Sequence, residues 1–96
     1  MQHEVKIFKI TKPMAGENGG ELDRGIVMAD TPHRAIRDYL KQRGIKFAEL
    51  VRVSAKDMIE HQDDRFWWTD YYKKALKVSC EESDGTISIV TYLIMG

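Results

Sequence analysis

Apolar residues recur along this chain with two periods, and the switches between them mark its elements. From His3 to Thr11 the apolar members are Val5, Ile7, Phe8 and Ile10, whose parity slips between Ile7 and Phe8. That predicts a strand with either a bulge or apolar side chains on both faces. Gly25 to Ala29 (GIVMA) reads as a buried strand. Ile45 to Val53 is apolar on both parities, with Phe47, Val51 and Val53 against Ala48 and Leu50, and reads as an interior strand. Between these two runs the period changes. Ala35, Ile36, Tyr39 and Leu40 fall at helical spacing and form one apolar face.

Local signals punctuate the pattern. Thr31 can accept hydrogen bonds from the first turn of that helix, Pro32 suits its first position, and Gly44 after Arg43 suits its close. Ser54, Ala55, Lys56 and Asp57 resemble a capping box with Asp in the Glu position, predicting a short helix that carries Met58 and Ile59 and ends near Gln62. Pro13 to Asp23 holds Gly16, Asn18, Gly19 and Gly20, a loop signal. A phosphate cradle needs such a loop between a strand and a helix, with Lys-Ser or Lys-Thr in place; here the glycines join two strands, and a hairpin tip is the plainer reading. Asp84-Gly85 predicts a second hairpin, returning through Ile87 to Met95.

Asp63 to Lys74 (DDRFWWTDYYKK) fits two periods. As a helix it pairs Trp67 with Tyr71 and Trp68 with Tyr72, with acids first and lysines last, as the macrodipole prefers. As a strand it sets Phe66, Trp68, Tyr72, Leu76, Val78 and Cys80 on one parity. The expectation is a loop to about Thr69 and then a strand through Cys80. The whole predicts a single α+β domain over residues 1–96. Its sheet is mostly antiparallel, of about five strands, with one main helix packed on a face and a second short helix.

Composition narrows the function classes. With 43% hydrophobic and 31% charged residues the chain is ordinary for a globular domain. Fifteen basic residues balance fifteen acidic ones, so no global field draws the molecule onto a polyanion and only local patches carry an electrostatic argument. Cys80 is the single cysteine, which excludes an intramolecular disulfide and fits a reducing compartment. No apolar run approaches the roughly 18 residues that span a bilayer. The opening MQHEVKIF has charges where a signal peptide needs an apolar stretch, so a cytoplasmic protein with no membrane association is expected.

No catalytic constellation stands out. His3, His33 and His61 are scattered without a metal-binding spacing, so neither a metal nor a cofactor is expected. Glu60 and His61 are neighbours, and on a helix their side chains diverge by about 100°. Cys80 falls on an apolar parity, where a thiol behaves as a small hydrophobe. Ser54 already has a capping role. The expectation is a protein that is not an enzyme.

Two surfaces remain. Arg34, Arg37 and Lys41 lie on the side of the main helix opposite its apolar face, which would suit phosphates in a small nucleic-acid-binding domain, with Lys73 and Lys74 as further candidates. Asp38 can instead neutralise part of that side. The second surface is acidic and aromatic. Asp57, Glu60, Asp63, Asp64 and Asp70 face Arg65 alone, a net of −4 over Asp57 to Asp70, around Phe66, Trp67 and Trp68 and followed by Tyr71 and Tyr72. Trp and Tyr dominate binding hot spots, which makes Asp57, Glu60, Asp63, Asp64, Trp67, Trp68, Asp70 and Tyr71 the preferred epitope, for a protein partner with a basic surface. One of Trp67 and Trp68 is then expected on the surface and the other in the core. A structural or assembly subunit is the third class.

The strand Ile7 to Ile10, and then Ile26-Val27-Met28-Ala29-Asp30-Thr31 leading into Ala35 and Arg37, resemble in their order small phage-encoded inhibitor proteins, including anti-CRISPR proteins. The likeness spans about the first half of the chain. It implies a non-enzymatic phage or mobile-element protein that blocks a larger host complex, often by presenting acidic surface to a basic nucleic-acid channel. That family has no fixed binding motif, so no residue role follows from the likeness.

Overall fold

A computed structural model describes residues 4–16 and 18–96. Among these residues five strands form one antiparallel sheet: β1 (Lys6–Met14), β2 (Gly20–Ala29), β3 (Glu49–Val53), β4 (Ala75–Glu81) and β5 (Ile87–Met95), in the order β2-β1-β4-β5-β3. The helices described, α1 (Pro32–Gln42), α2 (Ala55–Glu60) and α3 (Arg65–Lys74), interleave with them. The α+β architecture and the main helix packed on one sheet face are as the pattern predicts.

Strand alternation sorts the side chains onto two faces. Phe8, Ile10, Val27, Ala29, Leu76, Val78 and Cys80 point to the front, where α1 lays down Ala35, Ile36, Tyr39 and Leu40 to make the main core. Thr31 caps α1, its side chain accepting from the Arg34 N–H, and Pro32 occupies the first turn. Gly44 takes φ of 68° just past the helix end. Ile36 and Leu40 are fully buried, so truncating either to Ala costs about 2–5 kcal/mol.

The back face carries a second core of Val53, Tyr71 and Ala75, onto which Met58, Trp67, Trp68, Tyr72 and Leu93 pack. It is built by α2 and α3, and here the structure departs from the expected loop and strand. Residues 65–74 are helical. Asp64 caps the helix by accepting from the Trp67 N–H, and Lys73 and Lys74 sit in its last turn. The i,i+4 aromatic pairs meet, with centroids 5.5 Å apart for Trp67–Tyr71 and 5.9 Å for Trp68–Tyr72. Those terms, together with the apolar sheet surface the rings cover, outweigh the aromatic preference for strands. The extended run therefore begins only at Ala75.

Three smaller differences follow from the same sheet. The parity slip at Ile7/Phe8 reflects a strand apolar on both faces, and the bulge lies elsewhere, between Ile10 and Thr11, where Arg24 is the extra residue on β2. Gly25 beside that bulge has φ of 156°, and a Cβ there would face Arg43 and Tyr39. The loop expected over Pro13 to Asp23 is shorter, because both strands run on to Met14 and Gly20. The strand expected from Ile45 starts at Glu49 and is an edge, not an interior strand; its apolar residues divide between the two cores. His3, at the start of the predicted first strand, lies outside the described residues.

Candidate functional site

The outer side of α1 holds Arg34, Arg37 and Lys41, three and four residues apart and so on one side of the helix. They border a cleft of about 640 Å³ whose remaining wall is Asp38, Ile45, Lys46 and Phe47. Lys46 joins because the chain turns at Gly44 and doubles back along the helix.

A second cleft, of about 490 Å³, shares Ile45 with the first. Its floor is apolar, with Tyr39, Leu40, Leu76 and Ile94, and its rim carries Lys12, Arg24, Arg43, Lys73 and Lys74 without a carboxylate. The rim is held in place. The Arg43 guanidinium lies over the Tyr39 ring and donates to the Arg24 carbonyl oxygen at 2.8 Å. The Lys12 ammonium donates to the carbonyl oxygens of Tyr72 and Ala75 at 2.7 and 3.0 Å, closing the end of α3. Burial, helped by the nearby Arg24 charge, holds Lys12 below the usual lysine value. An anion entering this cleft would oppose both effects, because its charge favours the ammonium form of Lys12.

The third cleft takes up Lys12 and Lys73 again, adds Arg65, and is otherwise walled by Pro13, Met14, Ala15, Trp68, Thr69 and Tyr72. Neighbouring clefts are joined through shared lining residues, Ile45 between the first and second and Lys12 and Lys73 between the second and third. They take in ten of the fifteen basic residues, and Asp38 is the one carboxylate in their linings among the described residues. Within the track, among the described residues, only Arg34 with Asp30 (3.3 Å) and Lys74 with Asp70 (3.1 Å) form ion pairs. Outside it four of the five cations are matched, Lys6 with Glu82, Lys9 with Asp23, Lys56 with Glu60 and Lys77 with Glu21, and Arg52 is the exception among the described residues. A neutral chain has thus sorted its charges.

The acidic–aromatic segment is used differently from the expectation. Asp57 accepts from the Ser54 N–H and hydroxyl at 2.8 and 2.9 Å, bonds that hold its carboxyl below the usual range. Asp64 caps α3, Asp70 pairs with Lys74, and Glu60 stands 3.8 Å from Lys56. Tyr71 is buried at 3% exposure, where desolvation raises its phenol pKa. Trp67 and Trp68 are both half-buried, so the expected division into one surface and one core ring is not found. The exposed ring is Phe66, at 82%. Asp63 is exposed.

Elsewhere, the His61 ring stacks on Trp67 with centroids 4.7 Å apart, and its Nδ1 lies 2.7 Å from the Asp57 carbonyl oxygen. Cys80 is buried and His33 is exposed. Among the described residues no group of three His, Cys, Asp or Glu is placed to hold a metal ion. Among the described residues no helix is long and apolar enough to cross a membrane.

Sequence reasoning found Arg34, Arg37 and Lys41 and raised Lys73 and Lys74, but missed Lys12, Arg24, Arg43, Lys46 and Arg65. The bulge and the strand register bring Lys12 and Arg24 to the α1 side, and neither has a local signal. No protein-family model, curated protein or solved structure matches this chain.

Proposed function

We propose that this chain is a nucleic-acid-binding domain that takes a single strand along the basic track. The observation that carries the reading is the track itself: three joined clefts lined by ten cations and one carboxylate, in a protein whose net charge is zero. Eight of those cations have no carboxylate partner among the described residues, so a phosphate backbone would displace counterions and not internal ion pairs. Arg43 and Lys12 are already fixed by the Tyr39 ring and by backbone carbonyls, which lowers the ordering cost on binding. Trp68 and Tyr72 wall the far end beside Arg65 and Lys73, the combination of rings and cations that suits stacked bases. The test is fluorescence anisotropy with labelled single-stranded DNA and RNA of about twelve nucleotides and with matching duplexes, at low and raised salt. The expected result is tighter binding of single strands that weakens steeply with salt and is lost when Arg37, Lys46 and Lys73 are reversed to Glu. Absence of salt-sensitive binding at low salt, or indifference to the triple reversal, overturns the reading.

A second reading keeps the protein-partner function of the phage-inhibitor type. Phe66 favours it, standing 82% exposed at the start of α3 next to Asp63 and Asp64. In that reading the chain modulates a larger complex through the outer side of α3, with Phe66 as its anchor in place of Tyr71. Capture of one defined host protein by the native chain, lost in Phe66→Ala at unchanged melting temperature, supports it. Equal capture by both sinks it.

A further inference from the structure

The back face of the sheet is only half covered. Its α2–α3 half is the second core; the other half exposes Val5, Ile7, Ile26, Met28, Ile87 and Ile89, each between 58 and 70% accessible. Five of these lie in strands whose register makes two cross-strand rows. Ile26 pairs with Lys9, Lys9 with Ser79, and Ser79 with Ile89. In the next row Met28 pairs with Ile7 and Glu81 with Ile87. Single exposed apolar residues are ordinary, but six on one sheet face, in two groups flanking Ser79 and Glu81 of β4, make an apolar surface of the kind that marks an interface.

We infer that this half-face binds a second copy of the chain, giving a symmetric dimer in which two sheets pack back to back. Charge argues for the copy over other occupants. The two lysines of the face already stand beside carboxylates of their own subunit, Lys9 by Asp23 at 3.2 Å and Lys77 by Glu21 at 2.7 Å, so among the described residues the face has no cationic excess to draw a polyanion. Glu81 stands exposed on the neighbouring strand, one row from Lys9. A two-fold axis in the plane of contact, midway between Lys9 and Glu81, sets each opposite the other's copy, so the face is complementary to itself. A chain of zero net charge meets no long-range repulsion from its copy.

Size argues in the same direction. At roughly 100 Å² for each large apolar side chain, six of them give on the order of 600 Å² per copy, and the polar rim brings this toward the roughly 800 Å² per partner of a stable interface. Face-to-face sheets pack about 10 Å apart, with their side chains interleaved. Ser79, between Ile89 and Lys9 in its row, is the smallest side chain there and leaves room for a partner's isoleucine. The basic track is built largely on the opposite face, so the dimer leaves both copies of it open.

The test is sedimentation velocity on the whole chain over a concentration series up to several hundred micromolar, on the native protein and on Ile7→Glu/Ile89→Lys. Both substituted positions are exposed, so circular dichroism and melting should show the double variant folded. The expected result is a reversible native dimer whose dissociation constant rises at least tenfold in the double variant. Amide hydrogen exchange read at the same concentrations should show protection that grows with concentration at Ile7, Ile26 and Ile89 and not on α1. A native protein that stays monomeric throughout overturns the inference. So does a dimer that survives the double variant, or one whose protection maps to the free edge of β2 or β3.

Discussion

The Arg43 guanidinium carbon lies 5.3 Å from the centroid of the Tyr39 ring, so a residue of the main core positions a cation of the central cleft. The ring's negative face attracts the charge, and its burial fixes where the charge stands. Arg43→Ala is expected to lower single-strand affinity several-fold at low salt. It should also flatten the salt dependence by about 0.7 in log–log slope, the share of a single neutralised phosphate. Arg43→Lys keeps the charge but not the planar stack, and should recover only part of the affinity. Anisotropy titrations at several salt concentrations check both. An unchanged slope in the alanine variant removes Arg43 from the interface.

Neighbouring aromatics of α3 should separate by burial. Phe66→Ala is expected to change stability by less than about 0.5 kcal/mol, as for an exposed position. Trp67→Ala removes the stacks on His61 and Tyr71 and should cost about 2–3 kcal/mol, below the full core value because the ring is half-buried. Trp68→Ala should lower both stability and single-strand affinity, since its ring packs on the second core and also walls the third cleft. Urea denaturation paired with anisotropy reads both properties. Loss of stability without loss of affinity in Trp68→Ala would confine that ring to the core.

The capping box at Ser54 joins β3 to α2 through three hydrogen bonds with Asp57. Ser54→Ala removes the two made by the hydroxyl and is expected to cost about 1 kcal/mol. In a domain of this size that corresponds to a fall in melting temperature of roughly 4–8 °C. Differential scanning calorimetry measures it directly, and a fall of less than a degree would mean that α2 is held by packing alone.

Acidification should destabilise the domain. Among the described residues four carboxyls are held below their ordinary values: Glu21 by its bond from Lys77, Glu82 by Lys6, Asp57 by the Ser54 backbone and Asp84 by the Thr86 hydroxyl. Unfolding returns each to about 4.5 for Glu or 3.8 for Asp, so the unfolded chain takes up protons at higher pH than the folded one. Their contribution is present above those values and is lost as pH falls through the lower folded ones. Lys77, raised by the same Glu21 bond, should lose its share only on the alkaline side, above its ordinary 10.5. Melting curves from neutral pH to about pH 2 should show a steady fall beginning below about pH 5, shallower in Glu21→Gln. A flat profile down to pH 3 would contradict the assignment.

Short-range chemistry determined much of this protein. Thr31, Pro32 and the Ala35, Ile36, Tyr39 and Leu40 stripe specify α1 because caps and helical spacing act within a few residues. The Ser54–Asp57 box and the Asp84-Gly85 turn are local for the same reason, and the two hairpins with alternating strands led to the α+β class. Tertiary structure decided the rest. The segment from Arg65 to Lys74 satisfies helix and strand periods alike, and the sheet surface beneath Trp67, Trp68 and Tyr71, added to the Asp64 cap and the i,i+4 ring pairs, selects the helix. Arg34, Arg37 and Lys41 were legible as one helix side, because that spacing is intrinsic to the helix. Lys12, Arg24, Arg43 and Lys73 were not legible as one cleft. They come from four elements, and their meeting depends on sheet order and on the bulge at Arg24, whose local sign, Gly25 inside a strand, does not say which residues it brings together.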